Sequence, residues 1–75
     1  MEKKSILILA VYKRLVEEKQ KMTHCDFIRM YDIMCLRTLR YIISDINVFL
    51  SNESLSYEIR CVQGYFQLCE LTPLL

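Results

Sequence analysis

At 75 residues the chain is limited to one small domain, whose single core supplies only about 3–5 kcal/mol of net stability. A formal charge of +1 argues against a strongly basic nucleic-acid coat. One histidine and four cysteines, none in C-x-x-C spacing, argue against a locally spaced zinc site. The apolar fraction of 53% exceeds the usual range of about 45–50%, which implies that some apolar surface is covered by a partner or a neighbouring domain.

The charge is uneven. Residues 1–40 hold nine of the ten cations against five acids, a balance of +4, and residues 41–75 hold Arg60 against four acids, a balance of −3. The positive half includes Lys19, Lys21, Arg37 and Arg40. Free thiols at Cys25, Cys35, Cys61 and Cys69 point to a reducing, cytoplasmic setting. The apolar run Ile6–Tyr12 has seven residues and is far short of a membrane span of about 20. It runs into Lys13-Arg14 without a small-residue cleavage site, so no membrane partner is expected.

The first helix is expected over about residues 3–19. Ile6, Leu9, Ala10 and Val16 form one stripe, and Ile8, Tyr12 and Leu15 form a second beside it. Together they cover more than one amphipathic face. One stripe must pack on the later helices, and the rest is left for the hairpin, a second copy or another domain. A second helix is expected over about 23–31, with Thr23 as N-cap and Asp26 near the first-turn amides. Phe27, Ile28 and Met30 or Tyr31 supply its buried face. Asp32 to Met34 forms a turn without glycine, in which Asp32 takes the strained backbone position.

The third helix is expected over about 35–50. Leu39, Ile43, Ile46 and Leu50 recur at steps of four, three and four, one face of an α-helix. Ser51 to Ser54 reads as a loop. A wing then follows over about 55–70. There the period falls to two, and Gln63-Gly64 reads as a two-residue turn. This turn places Val62 opposite Tyr65, Cys61 opposite Phe66, and Cys69 opposite Glu58. Tyr57, Ile59, Cys61, Phe66 and Leu68 are then expected to face inward. Thr72-Pro73 ends any strand, and the apolar tail through Leu74 and Leu75 offers a second docking surface.

Thr38-Leu39, Ile43, Ile46-Asn47 and Leu50 resemble the T-[IL]-x-x-x-I-x-x-[LI]-N-x-x-L run of bacterial winged-helix regulators. These are the DeoR-like, biotin-repressor-like and Mga- or antiterminator-like groups. Arg37-Thr38 is similar to the Arg-Thr pair of their recognition helices, and Gly64-Tyr65-Phe66-Gln67-Leu68 resembles the close of their wing. Cys35 stands where the group usually carries Ser. The elements in this order make a mainly α chain with a small β-hairpin, an α+β three-helix winged helix-turn-helix. The resemblance implies sequence-specific binding of double-stranded DNA as a homodimer, and the wide apolar face of the first helix leaves a neighbouring domain as the alternative to a second copy.

The third helix carries Arg37, Thr38, Arg40, Tyr41 and Ser44 away from its apolar face. An arginine there suits guanine O6 and N7, while Thr38 or Ser44 suits a phosphate or base edge. Asp45 is expected on the rear of this helix, facing a cation from another element. Arg60 and Gln63, with Tyr65, sit where a wing tip meets the minor groove or backbone. The competing reading is that any exposed helix face carries such residues. On that reading the chain is a protein-interaction winged helix, which docks through the first helix and the C-terminal tail without reading DNA. No glycine-rich phosphate loop, Gly-x-Ser-x-Gly or His/carboxylate pair is present, so no enzyme activity, cofactor or small-molecule site is expected.

Overall fold

The chain folds, in the computed structural model, as three helices followed by an antiparallel hairpin, over the described residues 3–53 and 56–71. Helix α1 spans Lys3–Tyr12 and continues as a π-helical stretch over Lys13–Glu17. Helix α2 spans His24–Tyr31 and α3 spans Leu36–Asn52, followed by strands β1 (Tyr57–Val62) and β2 (Tyr65–Glu70). This is a small α+β fold with a wing. The apolar tail at 72–75 lies outside the described residues.

Helix α2 starts where its capping chemistry dictates. Asp26 N–H donates to Thr23 Oγ1 at 3.2 Å, and Thr23 N–H donates to Asp26 Oδ2 at 2.9 Å, so each side chain satisfies the other's amide. The Thr23 amide holds the Asp26 carboxyl below its ordinary value. The helix stops at Asp32, which takes a left-handed backbone (φ 57°) while its N–H donates back to Ile28 O and Phe27 O. The turn therefore closes without glycine, as the sequence requires.

The first helix departs from expectation. It ends at Glu17 rather than 19, through a wide turn in which Glu18 N–H reaches back five residues to Lys13 O at 2.9 Å. Lys19 then reverses the chain at φ 53°. Of its two stripes, the one through Ile8, Tyr12 and Leu15 packs inward, joined by Leu7 and the fully buried Val11, while the other divides: Ile6 and Leu9 face out and Val16 packs against the core. Arg14 Nε donates to Tyr31 Oη at 2.9 Å and ties this helix to α2.

The core gathers Val11 and Leu15 with Phe27 of α2, the inner face of α3, and Ile59 and Phe66 of the hairpin. Phe27 sits at its centre, with ring centroids 6.1 Å from Phe66 and 6.3 Å from Tyr31. Among the described residues no polar side chain is buried.

The hairpin register places Val62 opposite Tyr65, Cys61 opposite Phe66 and Glu58 opposite Cys69, as the two-residue turn requires. Gln63 (φ 53°) and Gly64 (φ 83°) carry the positive backbone angles of that turn. The inner face is narrower than the alternation implies. Ile59 and Phe66 are buried and Leu68 is half-buried, but Tyr57 and Cys61 are exposed. The reason lies in where the hairpin is fastened. Met22 and Phe66 exchange two backbone hydrogen bonds (3.0 and 2.7 Å), so the α1–α2 connection pairs with β2. On the other edge, Asn47 Nδ2 donates to Ile59 O at 3.1 Å, and Ile59 N–H donates to Asn47 Oδ1 at 2.8 Å. Tyr57 lies toward the open end of the hairpin from Ile59, and Cys61 lies opposite Phe66 on the strand that Met22 does not pair with.

Candidate nucleic-acid interface

Helix α3 is held by one face and offers the other. Leu39, Ile42, Ile43, Ile46 and Leu50 are buried, an apolar stripe that fixes the rotation of the rod. At 3.6 residues per turn, Arg37, Arg40, Tyr41, Ser44 and Val48 fall on the opposite side, and all five are exposed. From Arg37 to Val48 this face runs about 16 Å at 1.5 Å per residue. Among the described residues neither the Arg37 nor the Arg40 guanidinium enters a hydrogen bond or ion pair. Both therefore keep their full donor sets for a ligand.

The amino end of α3 is differently engaged. Cys35 is the N-cap, and its thiol makes no cap hydrogen bond. The amides of Thr38 and, next, Arg37 still point toward Sγ, and with the Thr38 hydroxyl they hold the thiol below its ordinary value. Thr38 is exposed but faces this cap, beside the row of Arg37, Arg40 and Ser44 rather than within it.

Between α3 and the wing lies a shallow depression of about 480 Å³, lined by Arg40, Ser44, Asn47, Val48, Ser51 and Glu58, among others. Asn47 forms its floor as the clamp that brings β1 against α3. Arg60 is exposed on the outer face of β1, where its Nε donates to Glu58 Oε2 at 2.7 Å. That hydrogen bond, and then the carboxylate charge, push the Arg60 guanidinium up. Gln63 is exposed at the wing tip.

The expected site residues thus fall into two groups. Arg37, Arg40, Tyr41 and Ser44 share one helix face. Arg60 and Gln63 belong to the wing, and Glu58 stands between the groups, since it lines the same depression as Arg40 and accepts from Arg60. Asp45 lies on the α1 side of α3, where it lines a second groove with Ile8, Leu9, Tyr12, Ile46 and Phe49.

A comparison with family models, curated proteins and solved structures returns no match. The chemistry must therefore be read from the side chains themselves. Among the described residues no group of three His, Cys, Asp or Glu side chains could hold a metal ion, and no helix is long and apolar enough to cross a membrane. Two features of the site are not obvious in the sequence. Asn47 shows as a motif position with no sign of what it clamps, and Glu58 shows only as the residue two before Arg60 on one strand face.

Proposed function

We propose that the chain is a winged helix-turn-helix that binds double-stranded DNA in a sequence-specific manner. It would act in the bacterial cytoplasm as a small transcriptional regulator, or as the DNA-binding domain of a longer one. The observation that carries this reading is the pair Arg37 and Arg40, without a hydrogen bond or ion pair among the described residues, on a face of α3 whose reverse side is buried in the core. A major groove about 12 Å wide admits such a helix, and the order of three helices and a wing supports it. Tyr41 and Ser44 would share the groove, with Thr38 at its margin and Arg60 and Gln63 toward the flanking backbone. The four free cysteines favour the cytoplasmic placement.

The test is binding to a labelled mixed-sequence duplex as salt is raised. Retention at roughly 50 mM salt is expected, with log K falling against log salt by about 0.9 for each phosphate neutralised. Absence of binding at low salt, or binding indifferent to salt, overturns the reading.

A second reading, docking on another protein, is favoured by the groove between α1 and α3. Its volume is about 270 Å³, and Tyr12 and Phe49 meet edge-on in it at 5.8 Å. Leu9, 63% exposed, and Phe49, 47% exposed, stand at its rim. A ridge beside a groove on one face suits a second copy of the chain, each Leu9 entering the other's groove. No residue of this groove lines the depression at Arg40, so pairing there leaves the DNA face open. A dimer by sedimentation, dispersed to folded monomers by Leu9→Glu, is expected. A parent that stays monomeric at high concentration rules it out.

A further inference from the structure

The wing from Tyr57 to Glu70 contains one cation, Arg60, and two acids, Glu58 and Glu70. Glu58 and Arg60 are two apart on β1, so both side chains leave the same, outer face of the strand. The residue opposite Glu58 is Cys69, and the residue opposite Arg60 is Gln67. Neither is an aspartate, glutamate, lysine or arginine. The result is the 2.7 Å contact from Arg60 Nε to Glu58 Oε2, made by side chains that are 57% and 39% exposed.

Glu58 also lines the depression that holds Arg40 and Ser44. The only wing cation is therefore engaged by a carboxylate that faces the same opening as the reading helix. An exposed ion pair of this kind is weak and exchanges readily. Glu58 holds the guanidinium through Nε alone, whereas a phosphate can take it in a bidentate manner and is a direct competitor for it.

We propose that Glu58 is a positioning residue that masks Arg60: the DNA phosphate must displace the Glu58 carboxylate before the wing can grip. This rests on the DNA-binding reading of the same surface. In the free protein the wing carries no available positive charge. Off-site encounters then engage only Arg37 and Arg40 on α3, and the wing joins only where α3 has brought a phosphate alongside Arg60. Glu58 thus restrains non-specific retention more than binding at a matched site.

The test uses the whole chain and its Glu58→Gln, Arg60→Ala and doubly substituted forms, on a mixed-sequence duplex from roughly 50 to 200 mM salt. Glu58→Gln keeps the shape of the side chain and removes its charge. It is expected to tighten binding several-fold and to steepen the salt slope by about 0.9, the signature of one further phosphate contact. Arg60→Ala alone is expected to change binding little, and in the double form to cancel the gain from Glu58→Gln. An unchanged slope in Glu58→Gln overturns the proposal. So does a gain that persists without Arg60, because it would then come from the lost negative charge alone. If the parent binds duplex and Glu58→Gln matches it, only this proposal falls; if the parent does not bind at any salt, the DNA-binding reading falls with it.

Discussion

The doubly substituted chain Arg37→Ala/Arg40→Ala is expected to melt like the parent and to lose its retention of duplex DNA at low salt. Both side chains are exposed and make no hydrogen bond or ion pair among the described residues. Alanine is the best helix former, and exposed substitutions of this kind usually stay within about 0.5 kcal/mol. A bidentate arginine contact to guanine contributes about 1–3 kcal/mol of discrimination. Losing two such contacts weakens a matched site by at least about 30-fold, at 1.4 kcal/mol per decade. Circular dichroism melting beside a gel-shift titration separates the two outcomes. A double variant that folds and binds as its parent does would remove α3 from the DNA contact altogether.

Asn47→Ala should have the largest effect on stability among substitutions at polar positions. The Asn47 amide donates to Ile59 O and accepts from Ile59 N–H, at 3.1 and 2.8 Å, and Ile59 is only 3% exposed. Removing the amide leaves a backbone donor and acceptor without partners in a nearly dry position. At about 1–3 kcal/mol for each such group, a total near 2–6 kcal/mol is expected, offset slightly by the helix propensity of alanine. Against a core worth about 3–5 kcal/mol, the melting temperature should fall by about 10 °C or more. The Ile59 amide should also lose its protection from hydrogen exchange. Asn47→Asp, which keeps the acceptor for Ile59 N–H and loses the donor, should fall between. An Asn47→Ala chain that melts with the parent would show that β1 is held by its apolar contacts alone.

Much of the architecture is local and therefore legible. Thr23 and Asp26 announce the start of α2 because a capping box is a short-range exchange between a side chain and an amide three residues on. Gln63-Gly64 sets the hairpin register because only certain residues tolerate two successive positive φ angles. The inner face of α3 reads correctly through Leu39, Ile43, Ile46 and Leu50, although Ile42, which is also fully buried, broadens it. What the chain conceals is long-range. Nothing near Lys13 signals that the helix widens there, and the choice between the two stripes of α1 depends on where α2 and α3 lie. The pairing of Met22 with Phe66 joins residues 44 apart, beyond any periodicity. The resemblance to winged-helix regulators singled out the position of Asn47 without its role, because the clamp needs β1 in place to be visible. At the candidate site, residue types and helix face were readable from spacing, whereas the Glu58–Arg60 contact needed the strand geometry.

The two fastenings of the hairpin have a consequence for how its reach can vary. One grips the middle of β1 at Ile59 and the other grips β2 at Phe66, one pair from the turn, so that only Val62 to Tyr65 lie beyond them. Lengthening the tip by an even number of residues keeps the up-down alternation of each strand and leaves both grips untouched. An odd insertion gives the ladder no such symmetrical extension and must be absorbed as a bulge. The tip is thus a segment whose length is free to drift while the rest of the chain stays in register, and changes of partner geometry are most easily accommodated there.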